Sequence, residues 1–118
     1  HDITDKQVEY QNACFGIVGL ETALPLCLKL VDEKILSMSD AIRKLTATPA
    51  QIFNLDAGNL SIGKEADVLI FNPDIKYSID VSKFHSKSKN SPFDGWKVKG
   101  KVLHTLARGK VVYTDPDL

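Results

Sequence analysis

The hydrophobic pattern changes period once, near residue 56, and that change limits what this chain can fold into more than any other feature. Before it, apolar residues recur at helical spacing; after it, they come in short strand-like runs. Leu20, Ala23, Leu24, Cys27, Leu28, Leu30 and Val31 mark an apolar helix that ends in the charged run 29–34. Pro25 would cost about 3 kcal/mol in a helix interior. Thr22 is therefore expected as the N-cap, which puts Pro25 in the first turn, where no intrahelical bond is lost. Ser39 is expected to cap a second helix with Ala41, Ile42 and Leu45 on one face, and Thr48 a third helix with Pro49 at its first position. Ile52, Phe53 and Leu55 would form the buried side of that third helix, with Gly58 as its stop.

In the second half, 66–71 reads as a buried strand closed by Asn72-Pro73-Asp74, with Asp67 accepting backbone or turn hydrogen bonds. Residues 76–80 suggest a brief edge strand, and a long polar loop follows. The runs 97–107 and 110–113 then form a terminal hairpin turned by Arg108-Gly109. Three helices without the strands they should cover, and a thin sheet with open edges, look like parts of something larger. His1 opens the chain and Met38 is its one methionine, which leads to the same expectation of a piece of a longer protein.

Charge excludes more than it suggests. Lys+Arg and Asp+Glu both number 15, so no excess of positive charge points to nucleic acid or an anionic membrane. No apolar run approaches the roughly 20 residues that span a bilayer. Cys14 and Cys27 lack C-x-x-C spacing and read as reduced structural thiols of a cytosolic protein. His85 and His104 have no partner at metal-ligand spacing and read as solvated or sheet histidines.

Chemistry is most expected at Phe15-Gly16-Ile17-Val18-Gly19-Leu20-Glu21-Thr22. Glycine lacks a Cβ, so the backbone can reverse there and a ligand can come close to the main chain. The amides at the start of a following helix would face any anion placed there. By itself, F-G-x-x-G also reads as nothing more than a turn into a helix. His1, at the head of a polar loop spanning 1–14, reads as a ligand-binding histidine or as a frayed end.

Several strings together resemble the C-terminal part of the dihydroorotases of bacterial type, in the amidohydrolase superfamily. They are His1-Asp2, Phe15-Gly16-Ile17-Val18-Gly19-Leu20-Glu21-Thr22-Ala23-Leu24-Pro25-Leu26, Thr48-Pro49-Ala50, Gly63-Lys64-Glu65-Ala66-Asp67-Val68, Ser86-Lys87-Ser88-Lys89-Asn90-Ser91-Pro92-Phe93-Asp94-Gly95-Trp96 and Gly109-Lys110-Val111-Val112-Tyr113. The second and fifth are the ones specific to dihydroorotases; the Ala66-Asp67 string and the closing string are shared across the superfamily.

The resemblance implies an α/β fold: the C-terminal part of a TIM-type (β/α)8 barrel in 1–55, and the C-terminal share of a small β-sandwich in 56–118. It implies a cytoplasmic zinc enzyme of pyrimidine biosynthesis that interconverts carbamoyl aspartate and dihydroorotate. His1, Phe15 and Gly16 would contact substrate, the latter two largely through backbone, while the catalytic aspartate and all zinc ligands would lie upstream. Such a piece would not catalyse alone. Its implied partners are the small substrate, the N-terminal part of the same protein, and a second copy or an aspartate transcarbamoylase. A sibling allantoinase or hydantoinase, or a non-catalytic dihydroorotase-like subunit, would be the alternatives.

Overall fold

A computed structural model describes residues 2–118. Three helices, α1 (Ala23–Asp32), α2 (Met38–Leu45) and α3 (Ala47–Ile52), precede three strands, β1 (Val68–Ser78), β2 (Lys97–Ala107) and β3 (Lys110–Thr114). The strands form one antiparallel sheet in the order β1-β2-β3. A single 3-10 turn, Val81–Lys83, stands in the long connection between β1 and β2.

Local chemistry accounts for the helix ends. Thr22 precedes α1 as expected, and buried Pro25 falls in the first turn, but the Thr22 hydroxyl donates back to the Gly19 carbonyl at 3.3 Å instead of capping. Lys34 takes a left-handed φ of 59°, and the amides of Lys34 and Ile35 donate to the carbonyls of Val31 and Leu30, closing α1 in a Schellman turn. The cap of α2 is Ser37, not Ser39. Its Oγ accepts from the Asp40 amide at 3.0 Å and donates to the Asp40 carboxylate at 2.7 Å, so the capping serine lies two residues earlier than expected. Helix α3 follows Thr46 instead of Thr48, leaving Pro49 in its first turn but not at its first position. Asn54, at φ 51°, ends α3 in the same Schellman pattern. Gly58 has a different role: a Cβ there would lie 2.8 Å from the Thr46 carbonyl oxygen, so only glycine lets the two backbones approach.

Pro73 does not close β1. The strand runs through it, because 73–75 bulge out of the ladder between the pairs Asn72–Lys101 and Lys76–Lys99. A bulge needs no amide donor at that point, so proline is tolerated. Opposite the bulge lies Gly100, at φ 95°, against the side chain of Leu28. There α1 sits on β2, and an ion pair from Lys99 Nζ to the Asp32 carboxylate at 2.9 Å ties the helix end to the strand. Arg108 and Gly109, at φ 51° and 74°, make the tight two-residue turn between β2 and β3. Its amides donate to the Asp67 carboxylate at 2.8 Å and the Ala66 carbonyl at 3.0 Å, the structural role expected of Asp67.

The core is thin. Leu28, Ala41, Ala50, Ile79 and Val98, together with Pro25, are its buried apolar residues among those described. Ile52 and Phe53, expected inside, are each 72% exposed, and Leu55 is also exposed, because Ala50 alone turns inward from α3. The radius of gyration is 16.3 Å, against about 13.5 Å for a compact domain of this length. The chain spreads its elements out more than it wraps them round a centre.

Candidate functional site

The approach to α1 is built from three loop segments. The first, 2–14, is a series of turns whose main contribution is Lys6. Its Nζ donates to the carbonyls of Phe15 at 3.0 Å and Gly16 at 2.9 Å, and to that of Cys14 as well. The second is the turn itself, where Gly16 takes a φ of 92°. The third, 84–90, comes from the far half of the chain. There the Asn90 side-chain amide donates to the Gly16 carbonyl at 2.9 Å, and the Asn90 carbonyl accepts from the Val18 amide at 3.0 Å.

These bonds orient the peptide units. A trans peptide is planar, so its N–H points opposite to its carbonyl, and no bond here is cis. Lys6 holds the carbonyls of Cys14, Phe15 and Gly16 on one side, and this turns the amides of Phe15, Gly16 and Ile17 to the other. Among the described residues those three amides meet no acceptor. Successive outward amides of this kind suit an anion such as a carboxylate. A Cβ added to Gly16 would meet nothing within 4 Å in this chain, so the space beside it is open to a ligand. The Phe15 side chain is fully out in solvent, at 95% exposure. A cavity of about 80 Å³ lies beside the turn, lined by Lys6, Phe15, Gly16, Ile17, Val18 and Ser88.

The 84–90 loop is itself anchored. The Glu21 carboxylate accepts from the amides of His85 at 2.9 Å and Ser86 at 3.1 Å and from the Ser86 hydroxyl at 2.8 Å. Partial burial works against ionisation of Glu21, but these hydrogen bonds and the neighbouring His85 outweigh it and hold the carboxyl below the usual glutamate range. Behind the loop, Ile79 pairs through its backbone with Gly95 and Trp96, the Asp94 carboxylate accepts from the Val81 amide at 3.1 Å, and Phe93 meets Trp96 edge-on at 5.2 Å. The two strings specific to dihydroorotases, 15–26 and 86–96, thus meet in space.

Of the expected site residues, Phe15 and Gly16 share this turn; His1 lies outside the described residues. Gly19 has no left-handed φ, and α1 begins only at Ala23, so the outward amides belong to the turn and not to the helix end. Sequence reasoning missed Lys6 and the pairing of Asn90 with Gly16. A lone lysine in a polar loop carries no periodic signal, and Asn90 sits 74 residues from its partner. Among the described residues no three His, Cys, Asp or Glu side chains gather where they could hold a metal ion. His104 Nδ1 lies 3.1 Å from the Thr114 hydroxyl. Nor is any described helix long and apolar enough to cross a membrane.

Comparison with known proteins shows the family. The family model described as "Amidohydrolase family" matches residues 3–112. A dihydroorotase of Syntrophus aciditrophicus is 46% identical over 115 residues, which are 98% of this chain and 27% of that protein. A dihydroorotase of Anaplasma phagocytophilum is 49% identical over 96% of this chain and 25% of its own length. Among solved structures, an L-hydantoinase (dihydropyrimidinase) of Arthrobacter aurescens superposes with a TM-score of 0.80 at 38% identity, over 88% of this chain and 24% of that one. The chain therefore spans about a quarter of the length of the relatives it matches. The match across 3–112, with these identities along nearly its whole length, establishes that the chain belongs to the amidohydrolase family.

Proposed function

We propose that this chain is the C-terminal part of a zinc-dependent, cytoplasmic dihydroorotase that interconverts carbamoyl aspartate and dihydroorotate in pyrimidine biosynthesis. In the complete protein, 1–55 would close a TIM-type barrel and 56–118 would supply strands of a small β-sandwich. The exposed apolar faces of α3 and β3 would be covered there. One observation carries the reading: three outward backbone amides, at Phe15, Gly16 and Ile17, stand at an open turn formed where the two dihydroorotase-like strings meet. They would receive the substrate carboxylate, with His1 as a further contact. Zinc, when bound, would polarise the scissile carbonyl and supply an activated water. Its ligands and the catalytic aspartate would come from the rest of the protein, and this chain's part would be to bind and orient; among the described residues no three His, Cys, Asp or Glu side chains gather to hold a metal ion.

The test is the complete protein assayed for carbamoyl aspartate cyclisation and for hydantoin hydrolysis, alongside its Gly16→Val variant. The left-handed φ makes the variant cost about 1–2 kcal/mol in folding, yet no neighbour within 4 Å obstructs the new side chain. Cyclisation by the parent and a loss of at least about tenfold in kcat/KM on Gly16→Val is the expected pair of results, equivalent to about 1.4 kcal/mol of transition-state stabilisation. Cyclisation surviving in the variant would remove Gly16 from the site. Hydantoin hydrolysis without cyclisation would favour the hydantoinase reading, to which the 38% identical L-hydantoinase lends some support. Neither activity would favour a non-catalytic subunit, of the kind that could associate with an aspartate transcarbamoylase or with its own copies.

A further inference from the structure

We infer that Asn90 is a positioning residue for the substrate turn: from a loop clamped by Glu21, it fixes the peptide unit between Gly16 and Ile17 so that the Ile17 amide faces the ligand. The inference rests on the reading of Phe15 and Gly16 as substrate contacts given above. Asn90 holds that peptide unit and the one after it, with its side chain donating to the Gly16 carbonyl at 2.9 Å and its carbonyl accepting from the Val18 amide at 3.0 Å. Lys6 alone could not do this. Its ammonium is a point charge on a flexible stem and fixes no plane, whereas a second donor on the same carbonyl, together with a bond one residue further on, leaves the peptide unit one orientation. The loop bearing Asn90 is short of regular structure, so its own placement needs the three hydrogen bonds that Glu21 accepts from His85 and Ser86, and a local turn in which the Asn90 amide donates to the buried Ser88 hydroxyl at 3.2 Å. In this role Asn90 need not touch the reacting atoms. It acts through the backbone it holds.

The experiment compares Asn90→Ala and Asn90→Asp with the parent, in the complete protein, by steady-state kinetics with dihydroorotate and by thermal unfolding. Asn90→Asp keeps the shape, loses the donor and sets a carboxylate against the Gly16 carbonyl, so it serves even if the alanine variant folds poorly. One lost hydrogen bond of ordinary net strength corresponds to a change of about three- to tenfold. KM should rise by that factor in Asn90→Ala and further in Asn90→Asp, with kcat within about twofold. A KM unchanged in both variants, or a loss of thermal stability with kinetics untouched, overturns the positioning role while dihydroorotase activity stands. A parent protein that turns over no dihydroorotate overturns both readings together.

Discussion

Gly100 offers the sharpest test of how the two halves of the chain are joined. A Cβ built on it lies 2.1 Å from Leu28 Cδ1, 3.5 Å from Cγ and 3.8 Å from Cβ. Leu28 is 4% exposed and has little room to swing away. Gly100→Ala should therefore force α1 off β2, at about 1–3 kcal/mol for overpacking, plus about 1–2 kcal/mol for a residue with a Cβ at a left-handed φ. Leu28→Ala alone should cost about 2–5 kcal/mol through its lost burial and the cavity it leaves. In the double variant the nearest Leu28 atom would be Cβ, at an ordinary contact distance of 3.8 Å. The overpacking cost then vanishes, and so does part of the cavity. Urea unfolding of the complete protein, read as a double-mutant cycle, should give a total at least about 1 kcal/mol smaller than the sum of the single variants. Additivity within about 0.5 kcal/mol would refute the claim that Leu28 of the helix packs directly on Gly100 of the strand.

Two further outcomes follow from the charged groups. Glu21 has a lowered pKa in the fold, so the stabilisation it gives the 84–90 loop is present above the ordinary glutamate pKa of about 4.3 and lost as pH falls through the lower folded value; protection of the His85 and Ser86 amides from exchange, relative to the intrinsic rate at each pH, should fall across that acid range in the parent and be already low in Glu21→Gln. Lys101 is shifted the opposite way, above the ordinary lysine value, by its hydrogen bonds to Asp115 at 2.8 Å and Asp117 at 2.7 Å. Its contribution is complete below about pH 10.4 and lost as pH rises through the higher folded value, so Lys101→Met should lower the unfolding midpoint at neutral pH and flatten its alkaline decline; an unchanged midpoint would show that nearly buried Asp115 does not need this partner.

What the sequence made legible was what local chemistry decides. The Arg108-Gly109 hairpin, the place of Pro25 in a first turn and the switch of period near residue 56 each follow from residues that answer to their immediate neighbours. Pro73 misled because its usual effect assumes a regular ladder, and a bulge facing a glycine on the next strand is not visible along one strand. Ser39 misled because two serines flank Met38 and only the one three residues ahead of Asp40 can complete the reciprocal pair. Ile52, Phe53 and Leu55 have the composition of a buried face, but burial is supplied by whatever packs against a residue, and the described residues cover little of them. At the candidate site, the reversal at Gly16 could be picked out because glycine at a turn is a local signal. Lys6 and Asn90 could not, because their partners are backbone carbonyls, which every residue has.

The meeting of 86–96 with the Gly16 turn also bears on how such a protein can be recombined. Residue 56 is where the pattern changes from helix to strand, and it would be the natural crossover for grafting the sheet of one amidohydrolase onto the helices of another. Yet Asn90 with Gly16, Ser86 with Glu21 and Gly100 with Leu28 all pair a residue after that point with one before it. A chimaera joined there inherits each half of these three contacts from a different parent. Its Gly16 turn would be inherited in full as sequence and lost as geometry, unless the loop spanning 84–96 travels with the segment spanning 15–28.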